Sequence, residues 1–198
     1  MRRSIAFAAA IPLFVGFHAA HAQSPQSQPS RWSLELSGDA AFPTRAVAGA
    51  DLQTGGGVGF NVRYRFQPHL AAYAGWEWHM QQTDELTAGQ TLDLNDNGYT
   101  LGLRFEHPLF ASTAWWVRAG ALYNHIEVED QTGNNIDDTG HGLGWEGGVG
   151  LTFPLNRRFG LMPSLRYRSL SRDIAVGGIT SSTTLSYVAA GLGLSIAF

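Results

Sequence analysis

The chain contains no cysteine and no lysine, and it has no long apolar run after its first two dozen residues. Without cysteine there is no disulfide framework, no thiolate metal site, no thiol nucleophile and no iron–sulfur cluster. Charged residues are also scarce, at 15% of the 198 residues, against about 25% in an ordinary soluble domain. Something other than charge must therefore keep the protein dispersed. The formal net charge of −3 offers no electrostatic footprint for nucleic acid, which is not expected as a partner. Helical periodicity is missing as well. From Arg31 onward no ten-residue stretch holds apolar residues at three- and four-residue spacing, and glycine interrupts each candidate.

What is present is glycine, at 24 residues, and aromatic side chains, at 12%. The N-terminus reads as an export signal: Arg2 and Arg3 precede an apolar run over 5–17, and Ala20-His21-Ala22 has the small-x-small form of a cleavage site. Residues 1–22 are thus expected to be a signal peptide. The polar, proline-containing stretch over 23–30 reads as a flexible leader, and 31–198 as the folded domain.

Within 31–198 the sequence alternates with period two. Trp32, Leu34, Leu36, Ala40 and Phe42 share one face of a first strand, opposite Arg31, Ser33, Glu35, Ser37 and Asp39. The pattern recurs over 57–66, 72–80, 99–106, 115–124, 145–153, 159–168 and 188–198, which predicts eight strands. Links over 67–69, 108–112 and 155–157 are short. Those near 43–55, 81–97, 127–142 and 170–183 are long and rich in Gly, Asp, Asn and Thr. Short turns on one side and long loops on the other describe an all-β, antiparallel, up-and-down barrel.

Alternation alone does not say whether the apolar face points into a core or out into lipid. The aromatics decide for lipid. Trp32, Phe66, Phe105, Trp115, Phe153, Phe159 and Phe198 fall near the short turns, and Trp78, Tyr99, Tyr123 and Trp145 toward the loops. Two such bands match the girdles at two membrane interfaces. Glycine on the polar face then makes room for charged side chains in a narrow lumen, and a closed sheet satisfies its own backbone within a bilayer.

With its signal segment, its eight alternating strands and its terminal GLGLSIAF over 191–198, the chain resembles the small outer-membrane β-barrel proteins of Gram-negative bacteria. These form the OmpA-barrel, OmpX/Ail and opacity-protein group of the porin family. The resemblance covers 31–198 and implies an integral outer-membrane protein with both termini in the periplasm. It implies lipid and lipopolysaccharide as surroundings and a C-terminal signal, Ile196 and Phe198, read by the barrel-assembly machinery. It also implies a monomer whose loops meet host or phage surfaces.

The inward face is expected to carry Glu35, Asp39, Arg63, Arg65, Glu77, His79, Arg104, Glu106, Arg118, Glu146, Arg166 and Arg168 as a network of paired charges. Counting back from a turn at 155–157 places Glu146 opposite Arg166, an expected ion pair. Such a network either plugs the barrel or gates a narrow channel for ions or small solutes.

Some barrels of this group modify lipids, with a His-x-Ser pattern and a carboxylate near the loops. Here His125-Ile126-Glu127 shares an outward face without a serine, Glu77-x-His79 lies inward, and His141 stands among loop glycines. The function expected is therefore non-enzymatic: envelope integrity and surface interaction. Asp93-x-Asn95-x-Asn97-Gly98 matches the opening of a calcium loop, but its twelfth position is Arg104 rather than Glu, so it reads as a turn into the fourth strand. No cofactor and no metal site is assigned. The acidic loops suggest hydration, or divalent-cation bridging to anionic lipopolysaccharide.

Overall fold

A computed structural model describes residues 30–47, 51–84, 91–110, 112–176 and 179–198, with only the backbone described over 173–176 and 179–183. The expected signal peptide over 1–22 and all of the leader except Ser30 lie outside the described residues. The strands are β1 (Trp32–Pro43), β2 (Gly55–Gln67), β3 (Leu70–Gln82), β4 (Asp93–Phe110), β5 (Thr113–Glu129), β6 (Asn135–Asp138), β7 (Gly142–Pro154), β8 (Phe159–Val176) and β9 (Ile179–Ala197). Except for β6 they form a closed, antiparallel eight-stranded barrel. Neighbours in sequence pair all the way round, β5 pairs with β7, and β1 returns to pair with β9 from Ser33↔Ala197 to Pro43↔Tyr187.

The alternation sets which face is which. Leu101 and Leu103 on the outer face of β4 are 63% and 57% exposed, while Thr100 and Arg104 on either side of them are buried. Glycines on the inner wall leave space for large lumen side chains. A Cβ at Gly102 would come within 2.5 Å of the Tyr73 hydroxyl, so that ring occupies the volume the glycine vacates.

β4, β5 and β8 are 18, 17 and 18 residues long, whereas about 9–11 residues cross a bilayer. Apart from 107–110 at the turn end of β4, the excess lies at the loop end, where the polarity of the two faces inverts. Along β5 the outward Val117, Ala119, Ala121 and Tyr123 give way to His125, Glu127 and Glu129. The inward positions change from Arg118 to Leu122, Ile126 and Val128, all fully buried. Those three pack with Ala41, Val47, Leu94, Leu170, Leu185, Tyr187 and Ala189 into an apolar cluster inside the barrel mouth. This inversion is what lipid outside the wall below this level and water above it would require. Roughly 20 Å of strand past Tyr123 stands clear of the apolar band.

The loop-end extension corrects two expectations. Of the residues expected in long links, 81–82 and 93–97 belong to β3 and β4, 127–129, 135–138 and 142 to β5, β6 and β7, and 170–176 and 179–183 to β8 and β9. Asn97-Gly98, expected as a turn, is mid-strand and pairs with Trp78 and Glu77 on one side and His125 and Asn124 on the other. An extended chain holds Asp93, Asn95 and Asn97 in a row along one face, so they do not converge as a calcium loop requires.

A third correction concerns the β7–β8 hairpin. Glu146 is opposite Arg168, and Gly148 is opposite Arg166. The turn is centred one residue later than expected. The Leu155 N–H donates to the Phe159 carbonyl at 2.8 Å, and Asn156 Oδ1 accepts from the Arg158 and Phe159 N–H groups at 2.8 and 3.0 Å. This Asx turn is self-sufficient. Moving a hairpin centre by one residue slides the register by two, which keeps every side chain on its face and changes its partner.

Candidate functional site

The inward faces of all eight barrel strands converge on a buried ionic network with two levels. At the turn end, Glu35, Arg63, Arg104 and Glu106 form a four-membered ring. Arg104 donates to Glu35 at 2.9 Å and lies 2.8 Å from Glu106, while Arg63 lies 3.2 Å from Glu35 and 2.8 Å from Glu106. Each guanidinium thus touches both carboxylates through separate donors of its planar fork. Arg104 also covers the Trp116 ring at 4.3 Å. Arg65, also expected in the network, donates to the Ser30 carbonyl at 3.0 Å, beside the turns.

The second level centres on Glu77, which is fully buried. Arg166 Nη1 lies 2.6 Å from both of its oxygens, and Arg118 and Arg168 each approach to 3.4 Å. Arg166 also pairs with Asp39. Glu146 accepts from Tyr73 at 2.7 Å and Thr100 at 3.1 Å, and lies 3.0 Å from Arg118. The expected Glu146–Arg166 pair is therefore replaced: Glu146 is held by Arg118, with Arg168 Nε at 4.0 Å, and Arg166 belongs to Glu77 and Asp39.

His79 links this level to the mouth. Arg168 Nη1 meets its Nδ1 at 2.6 Å, and Asp39 lies 3.1 Å from its Nε2. A guanidinium only donates, so Nδ1 is the acceptor of the Arg168 bond. Arg168 further donates to Tyr187 at 2.9 Å, and Tyr187 donates to Asp96 at 2.7 Å.

Asp96 and Arg172 are missing from the expected set. Asp96 accepts from Asn124 at 2.7 Å, and Arg172 donates to the Asn124 and Leu143 carbonyls at 2.8 and 2.9 Å where β7 leaves β5. Both fall in the inward phase two or more residues past the expected strand ends, so extending the alternation would have found them. A cavity of about 20 Å³ lies between Asn61, Trp116, Arg118 and Arg166, enough for about one water.

The expected girdle residues occupy the outer wall. Rings meet there in pairs: Trp32 and Tyr64 at 4.6 Å, Phe105 and Trp115 at 5.6 Å, Trp145 and Tyr167 at 5.3 Å. Phe66, Tyr99, Tyr123, Phe159 and Phe198 are exposed, and Trp78 and Phe153 are partly covered. Ile196 pairs with Leu34 and Phe159, and the Phe198 N–H donates to the Trp32 carbonyl at 3.1 Å.

At the loop end, Asp130 turns the chain between β5 and β6. It accepts from the Thr132 hydroxyl and N–H at 2.6 and 2.8 Å and from the Asn134 N–H at 3.0 Å. These bonds, that from the Thr132 side chain foremost, lower its carboxyl to about 2.

Similarities to known proteins agree with this architecture. The solved structure of Neisserial surface protein A superposes with a TM-score of 0.61 at 12% identity, covering 85% of this chain and 98% of that one. OprG from Pseudomonas aeruginosa gives 0.51 at 14% identity, with coverage of 85% and 98%. AlkL, determined in DMPC bilayers, gives 0.51 at 15%, with coverage of 91% and 96%. At such identities the likeness is one of fold. Curated protein sequences yield no match. The model of one family, described as the outer membrane protein beta-barrel domain, matches residues 9–198. With a closed eight-stranded wall, an apolar outer band and a charged interior, the chain belongs to this outer-membrane β-barrel family.

Proposed function

We propose that the protein is a non-enzymatic scaffold of the Gram-negative outer membrane, closed to ions, that carries a rigid extension above the lipid for surface interaction. The observation that carries this reading is the filling of the lumen. The Glu35–Arg104 ring, the Glu77 level and the apolar cluster around Leu122 and Ile126 occupy successive cross-sections. Arg104, Arg118, Arg166 and Arg168 are each ion-paired with a buried carboxylate, and opening a path would require separating pairs in a nearly dry interior.

Family architecture supplies the orientation: short periplasmic turns, longer extracellular loops and both termini inside. The signal segment over 1–22 would deliver the chain, and the barrel-assembly machinery would read Ile196 and Phe198. Lipid and lipopolysaccharide would then surround a monomer, with the loops turned to host or phage surfaces.

Single-channel recording on the refolded full chain in planar bilayers tests the closed state. The expected record is flat. Stepwise conductance that changes in Glu77→Gln would instead support the narrow gated channel.

A further inference from the structure

At the loop end β5 outlasts β7. Its last partner there is Gly142, opposite Asn124, and β6 takes over the exposed edge. The register puts Asp138 directly opposite Glu127. Two carboxylates facing each other across a ladder repel. No arginine stands between Arg118 and Arg157 in the sequence to neutralise them.

What stands beside them is His125. Its Nδ1 is 3.3 Å from Asp138 Oδ1 and its Nε2 is 3.8 Å from Glu127 Oε1. One ligand atom from each of the three residues lies within 4.8 Å of the other two. The His141 ring stacks on His125 with centroids 4.6 Å apart and planes 16° apart, and Tyr123 flanks His141 at 5.1 Å.

We propose that His125, Glu127 and Asp138 bind a late first-row divalent cation, with Zn²⁺ as its representative. Imidazole beside two carboxylates suits zinc, copper or nickel, whereas Ca²⁺ and Mg²⁺ take oxygen ligands and have no use for His125. Tetrahedral zinc with bonds of about 2.0–2.1 Å holds its ligand atoms roughly 3.4 Å apart, close to the present His125–Asp138 separation. That separation is measured from Nδ1, which is therefore the ligand nitrogen, and Glu127, whose 3.8 Å contact is with Nε2, has three rotatable bonds with which to swing its carboxylate toward the ion.

Three protein ligands leave a fourth position for water or an outside donor, and His141 is near enough to supply it by a ring rotation. The metal would neutralise the Glu127–Asp138 repulsion and tie β6 to β5. The side chains of His125, Glu127 and Asp138 are 16%, 32% and 46% exposed, so the ion has an entry path. The inference rests on the rim alone and stands whether or not the lumen conducts.

Isothermal titration of ZnCl₂ into the refolded full chain, in a non-coordinating buffer near neutral pH, tests it. Saturable uptake of one Zn²⁺ per chain is expected. His125→Ala should weaken binding by at least about a hundredfold and Asp138→Asn by at least about tenfold, since loss even of groups that only orient a ligand costs about 10–100-fold. His69→Ala, at the opposite end of the barrel, should leave binding unchanged, and millimolar Ca²⁺ should not displace the zinc. Circular dichroism checks that each variant keeps its barrel, and Glu127→Gln is an independent ligand variant. Absence of saturable uptake would mean that His125 is only an ion-pair partner. Undiminished binding by His125→Ala, or displacement by Ca²⁺, would also overturn the site.

Discussion

Glu77→Gln should destabilise the barrel by about 3–5 kcal/mol, the cost of removing one partner from a buried ionic cluster. The substitution keeps the size of the side chain and removes only its charge. Arg166 at 2.6 Å and Arg118 and Arg168 at 3.4 Å would then face one another around a neutral amide. None can release its proton, and none can swing into water, because all three are buried.

Reversible urea unfolding of the chain in liposomes, followed by tryptophan fluorescence, measures the loss as a lower midpoint. Glu106→Gln offers a contrast: its side chain is 23% exposed at the turn end, so solvent screens Arg63 and a loss nearer 1 kcal/mol is expected. Equal losses at the two positions would show that water fills the lumen. A double-mutant cycle of Glu77 with Arg166 should be strongly non-additive.

The second large effect concerns the outer wall. Leu103→Arg puts a guanidinium in the middle of the apolar band of β4, between Ala72 and Ala119. The cost near a bilayer midplane is about 2–4 kcal/mol. Gln82→Arg, also outward-facing and exposed but past Met80 toward the loops, should stay within about 0.5 kcal/mol, as surface changes in water do. Unfolding from liposomes compares the two directly. Similar costs at both positions would move the water boundary away from the level of Tyr123, where the two faces of β5 exchange polarity.

The features legible in the sequence were those that depend on parity. Whether Leu101 faces out or Arg104 faces in is set by period two, and no partner strand is needed to read it. Features that depend on register were not legible. The Glu146–Arg166 expectation failed because Asn156 shapes the turn, and an error of one residue there exchanges partners without disturbing the pattern.

The loop end was hidden for a different reason. Above Tyr123 the solvent outside changes, so Leu122, Ile126 and Val128 are apolar where the wall below has Arg118. A reader following polarity takes that inversion for the end of the strand. Asp96 and Arg172 were lost with it. The meeting of His125 with Asp138 depends on β6, a four-residue strand that no periodicity could announce.

The seam between β1 and β9 has a kinetic consequence. Every other contact in the ring joins strands that are close in the chain, with only β6 between β5 and β7, and can form locally. The seam joins Ser33 to Ala197 and carries the loop-closure entropy of nearly the whole described chain. Zipping of the hairpins should therefore run ahead of sealing, leaving two long unpaired edges until the last strand arrives. The lifetime of that open ribbon, rather than the stability of the finished ring, would set how much chain is lost to aggregation on the way.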